Sequence, residues 1–179
     1  MAYYCDFSQD AELHGPYHDG EYGFPETEES LLFERLMLEV NQAGLNWALI
    51  LKKRAGLRAA YDGFDVDRVA AYDDEDRARL LADAGIVRNK LKVNAAITNA
   101  QAIQAMRESH GGFAHWLAAH HPRSPESWVK LFKQTFRFTG GEITGEFLRG
   151  IGYLPGAHRE DCPAYSRILK HQPPWSLDA

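Results

Sequence analysis

The sequence predicts a single all-α domain. Its 179 residues fit one full domain rather than two. Apolar residues recur at three- and four-residue spacing along most of the chain, and no alternating strand pattern of useful length appears. The composition, 45% hydrophobic and 25% charged, excludes a disordered, collagen-like or coiled-coil chain.

Taken in order, Thr27 is placed to cap a helix with Glu28 and Glu29 in its first turn, where carboxylates favour the positive end of the dipole. Leu32, Phe33, Leu36, Met37 and Val40 form its buried face. Residues 46–61 form a second helix, interrupted near Gly56. Residues 73–84 are amphipathic through Leu80, Leu81 and Ala84. Residues 88–106 form the longest helix, with Val93, Ala96, Ile97, Ala100 and Ile103 on one stripe. Shorter helices fit residues 115–120, 125–134 and 143–151. No repeat or Pro/Gly/Ser-rich linker divides the chain, so residues 1–179 are read as one domain.

No run approaches the roughly 18 apolar residues of a membrane span. The N-terminal segment MAYYCDFSQD lacks the pattern of a signal peptide, and two cysteines cannot build a disulfide framework. A cytoplasmic location is expected.

The net charge of −5 argues against a nucleic-acid partner, but its distribution does not. Residues 1–39 carry ten acids against one base, and residues 62–83 carry eight acids against three arginines. Residues 40–61 hold Lys52, Lys53, Arg54 and Arg58 without an acid. Residues 84–107 hold Arg88, Lys90, Lys92 and Arg107, and residues 127–141 hold Lys130, Lys133 and Arg137, again acid-free. Solvated helix faces account for any one such block; three together fit a phosphate-binding face.

One basic block falls on a helical hairpin at about residues 80–93. Gly85 is read as a left-handed helix stop, and the following helix would present its amides beside Ile86, Arg88 and Lys90. Such a turn docks on a phosphate backbone without reading bases, although ordinary helix–helix turns look the same.

Glu39 follows Leu32 by seven residues and Leu36 by three, so a carboxylate sits at the edge of an apolar stripe. Burial there is costly unless the group is paired or faces a cleft. Gln42, Gly44, Leu45 and Trp47 follow. Leucine at a glycine turn suits the gap left by an extruded base, and tryptophan suits stacking on that base. Tyr17 and Tyr22 are further aromatic walls.

Cys5 with His18, and His158 with Cys162, supply the Cys2His2 set of a closed zinc site, one pair near each terminus. A Cys5–Cys162 disulfide, which leaves both histidines unexplained, and two free thiols are the alternatives.

Several segments are similar to one family in its own order: Cys5, residues 8–10 (SQD), 17–25 (YHDGEYGFP), 38–47 (LEVNQAGLNW), 51–54 (LKKR), 84–92 (AGIVRNKLK), 136–138 (FRF), and His158 with Cys162. They resemble the 3-methyladenine DNA glycosylase I family, the Tag-type enzymes of bacteria. The resemblance implies a helix-hairpin-helix DNA glycosylase fold whose termini are joined by zinc at Cys5, His18, His158 and Cys162. It implies that Glu39 hydrogen-bonds the flipped base, that Tyr17, Tyr22, Trp47 and His14 surround it, and that Gly44 and Leu45 act at the gap in the duplex. The implied partner is double-stranded DNA containing alkylated bases, and the implied state a monomer. The implied reaction is hydrolytic release of 3-methyladenine without lyase activity, in line with the absence of a carboxylate in residues 84–107.

Four positions depart from the family's usual residues. Tyr22 stands where tryptophan is usual, His14 where a pocket tyrosine is usual, and Glu142 and Glu146 add carboxylates to a turn that would repel phosphate if it faced DNA. These departures keep two alternatives: a non-catalytic zinc-stabilised DNA-binding homologue, and a glycosylase with shifted base preference such as 3-methylguanine.

Overall fold

The computed structural model describes residues 3–8 and 12–177, and among these it contains helices and no strand. Gln9 and Asp10 of the family-like segment lie outside the described residues. The α-helices are α1 (Gly15–Gly20), α2 (Glu29–Gln42), α3 (Trp47–Ala60), α4 (Val66–Ala70), α5 (Asp74–Ala82), α6 (Lys90–His110), α7 (Phe113–His120), α8 (Pro125–Thr135), α9 (Gly141–Gly150) and α10 (Pro163–Lys170).

Helix α2 is the spine. It touches α3, α4, α6, α7 and α9, and Leu32, Phe33, Leu36, Met37, Leu38 and Val40 are fully buried. The cap of α2 differs from the expected Thr27. Glu28 takes that place, its carboxylate accepting the amides of Ser30 and Leu31. Asn46, Asp73, Asn89 and Ser124 cap α3, α5, α6 and α8 in the usual way, each accepting amides of the first turn. Helices α1, α4 and α10 were not apparent from periodicity, being at most eight residues long.

Two glycine readings are corrected. Gly56 does not interrupt α3, which runs unbroken from Trp47 to Ala60. A Cβ at Gly56 would lie 2.7 Å from the carbonyl oxygen of Gly85, so the residue lets the α5–α6 turn press against α3. Nor is Gly85 left-handed. Helix α5 has already ended at Ala82, and the Gly85 amide donates to Asp83 Oδ1 at 2.7 Å. Lys53 fastens the same turn by donating to Ala84 O at 3.2 Å. Gly56→Ala should therefore cost about 1–3 kcal/mol despite the better helix propensity of alanine, as read by urea denaturation. An equally stable variant would contradict this tight approach.

Candidate active site

Near the C-terminal end of the buried run of α2 lies Glu39, only 6% exposed. It lies in a cavity of about 620 Å³ lined also by Tyr3, Tyr4, Phe7, Tyr17, Tyr22, Gln42, Trp47, Glu142, Glu146, Arg149, Pro155 and Gly156. That volume suits a small aromatic ligand. Burial, and next the charge of Glu146, push the Glu39 carboxyl up to about 8, against the opposing pull of Arg35 and Arg149.

The walls are aromatic and braced from behind. Tyr17 is 5.1 Å from Trp47 and 5.8 Å from Tyr22, centroid to centroid. The Arg35 guanidinium sits 5.0 Å over the Tyr17 ring and donates to Gly150 O at 2.9 Å. Arg54, also over Tyr17, forks onto Glu21 at 2.7 and 2.8 Å and reaches Glu34 at 2.5 Å. Tyr22 donates its hydroxyl to Glu146 at 2.8 Å, and Glu146 is ion-paired with Arg149. Glu146 thus lines the cavity held by Tyr22 and Arg149, while Glu142 lines it from an exposed position.

Behind Tyr22 the two chain ends meet. The ligand atoms of Cys5, His18, His158 and Cys162 all lie within 4.8 Å of one another. Cys5 Sγ and Cys162 Sγ are 3.5 and 3.6 Å from His158 Nδ1, and Cys162 Sγ is 3.8 Å from His18 Nε2. A sulfur and a nitrogen on one tetrahedral zinc should lie about 3.6 Å apart. The outward ring nitrogens are also held as metal-ligating histidines usually are: His18 Nδ1 is 2.7 Å from Asp19, and His158 Nε2 donates to Tyr22 O at 2.7 Å. Both cysteines are free thiols rather than a disulfide. These residues fit a metal ion, and the His158 contact ties it to the cavity wall.

The sequence profile described as methyladenine glycosylase matches residues 7–130. The chain is 34% identical to DNA-3-methyladenine glycosylase 1 of Escherichia coli strain K12, covering 90% of this chain and 96% of that protein. It is 30% identical to DNA-3-methyladenine glycosylase of Haemophilus influenzae, covering 89% and 96% respectively. The chain belongs to the methyladenine glycosylase family. Among solved structures, the 3-methyladenine DNA glycosylase I (TAG) of Staphylococcus aureus, described for its recognition of 3-methyladenine, aligns with a TM-score of 0.81. Identity is 28%, over 90% of this chain and 95% of that one.

In this methyladenine glycosylase family member, Glu39, Tyr17, Tyr22 and Trp47 line the cavity together, and Gln42, read from the sequence as a DNA-facing residue, lines it too. His14 does not line it. Its Nδ1 is 2.7 Å from the hydroxyl of Tyr4, which is the side chain that reaches the cavity. Tyr4 and Arg149 escaped the sequence reading. The available signals were the position of Tyr4 beside Cys5 and the three-residue spacing of Glu146 and Arg149.

The expected DNA-facing residues divide. Gly44, at φ +78°, turns the chain between α2 and α3 and leaves Leu45 41% exposed. Arg88 and Lys90 are exposed and unpaired among the described residues. The Ile86 side chain instead enters the core at 3% exposure, leaving only its backbone for a ligand. Lys92 also turns inward, donating to Asn41 O and Ala43 O at 2.7 Å each, where it secures the turn before Leu45. Arg54 and Arg58 are held by Glu34. The basic face is therefore smaller than the sequence blocks indicate. No helix among the described residues is long and apolar enough to cross a membrane.

Proposed function

We propose that this protein is a DNA base-excision repair glycosylase that flips 3-methyladenine out of alkylated duplex DNA and releases it by hydrolysis. The observation that carries this reading is the buried Glu39 carboxyl inside an aromatic cavity beside the exposed Leu45 turn. Methylation at N3 makes adenine cationic and weakens its bond to the sugar. The reaction then needs extrusion and a hold on the base more than its protonation. Water attacks C1′, the C1′–N9 electron pair leaves with the base, and the water's proton passes to solvent.

Within this reading Glu39 accepts a hydrogen bond from the base and balances its charge, worth roughly 1.5–3 kcal/mol. Tyr17, Tyr22 and Trp47 add about 0.5–2 kcal/mol of aromatic contact with the cation. Flipping costs a few kcal/mol, so unmodified adenine does not hold the flipped state. Gln42, Gly44 and Leu45 act at the duplex gap. Gly85, the Ile86 backbone, Arg88 and Lys90 form the helix-hairpin-helix contact with phosphates. His14 acts through Tyr4. Zinc at Cys5, His18, His158 and Cys162 is structural, clipping the ends of a single domain spanning residues 1–179. The protein works as a cytoplasmic monomer.

Glu142, Glu146 and Arg149 in the cavity favour a second reading, a base range extended toward other cationic purines such as 3-methylguanine. The pairing of Glu146 with Tyr22 and Arg149 removes one of the two carboxylates, Glu142 and Glu146, whose repulsion of phosphate supported the non-catalytic alternative.

A methylated duplex should lose base while its backbone stays intact until alkali treatment. Enzyme-made strand breaks would overturn the hydrolytic assignment. With Glu39 titrating at about 8, kcat/KM should rise between pH 6 and 8 and then level, because the ionised carboxylate is the form that meets the cation. A profile flat across that range would contradict the role of its charge.

A further inference from the structure

The turn between α8 and α9 strains one residue and leaves its side chain outside. Phe138 has φ +63°, a conformation bulky residues rarely adopt, and is 36% exposed. Both neighbours are clamped. Fully buried Asn99 accepts the Arg137 amide at 2.7 Å and donates to Arg137 O at 3.1 Å. Buried Thr139 donates its hydroxyl to Phe132 O at 3.0 Å. The fold thus specifies a costly turn around an aromatic ring that it does not bury.

The position of that ring is informative. Lys92 Nζ lies 5.9 Å from the centroid of Phe138 and 2.7 Å from Ala43 O, so one ammonium touches both Phe138 and the turn that presents Leu45. Lys133 and Arg137 flank Phe138, exposed, and neither is ion-paired among the described residues. Unpaired cations around an exposed ring match a polyanion with apolar faces between its charges.

We propose that Phe138 is a second apolar contact to duplex DNA, set beside Leu45, with Lys133 and Arg137 meeting the adjacent phosphates. The proposal rests on the glycosylase reading and adds a contact outside the base cavity.

The test compares the wild type with Phe138→Asn in three measurements: binding to a duplex carrying an abasic-site analogue, binding of free 3-methyladenine, and Tm. Asparagine takes the left-handed conformation at less cost than phenylalanine, so Tm should hold or rise. Duplex binding should weaken roughly tenfold, the scale of one lost aromatic contact. Binding of the free base should not change, because Phe138 lies outside the cavity. In Lys133→Gln the slope of log affinity against log salt should shrink by about one. Unchanged duplex affinity in Phe138→Asn overturns the proposal, as does a fall in Tm accompanied by loss of both binding activities. A wild type that binds the duplex but frees no base contradicts the glycosylase reading, while the duplex comparison still decides Phe138.

Discussion

Glu39→Gln should lower excision of 3-methyladenine about tenfold to a hundredfold, the rate equivalent of one charge-assisted hydrogen bond, while affinity for duplex DNA holds. The same variant should be more stable than the wild type. An unfolded glutamate titrates near 4.5, but in the fold burial and the nearby Glu146 hold this carboxyl near 8. Between those values the folded chain keeps a proton that the unfolded chain has lost, so wild-type stability falls as pH rises through the window and levels above it. Glutamine has no proton to lose. Its stability advantage should therefore grow from about pH 5 to 8, reaching a few kcal/mol, and the Tm difference should grow with it. A variant with wild-type excision would refute the role of Glu39, and a Tm difference independent of pH would refute the raised titration of its buried carboxyl.

Cys162→Ala should produce the largest loss of stability. A structural zinc contributes several kcal/mol to folding, which at this chain length corresponds to a fall in Tm of roughly 10 °C or more. The loss follows from position, since a metal held by these four side chains would tie together two distant segments that already meet through contacts such as Cys5 Sγ to His158 Nδ1 at 3.5 Å. Activity should fall with it, because His158 also holds the Tyr22 carbonyl and Tyr22 walls the cavity. Elemental analysis of the wild type should give one zinc per chain, and chelation should reproduce the shift in Tm. A metal-free wild type with unchanged Tm and activity would refute the zinc clip.

Local chemistry made much of this structure legible in the sequence. The apolar stripe of α2 placed Glu39 at its edge because three- and seven-residue spacings fix a helix face. The Cys/His pairs and the Gly44–Leu45 turn were visible as residue types at short spacings, although other roles suited each of them until the order of all the segments was taken together. What remained hidden depends on pairings between distant segments. Nothing near Lys92 announces that its ammonium ends on Asn41 and Ala43. Arg54 reads as part of a basic run until Glu21 and Glu34 close on it. Gly56 looks like a helix break because its reason, the Gly85 carbonyl, lies across a tertiary contact. Glu146 reads as a surface acid until Tyr22 and Arg149 draw it into the cavity.

The most direct test is chromatography of the bases freed when the protein is incubated with methylated duplex DNA. The account predicts 3-methyladenine in the soluble fraction, with unmodified adenine left in the strand. Release of unmodified adenine, or of no base at all by a protein that binds the duplex, would contradict it.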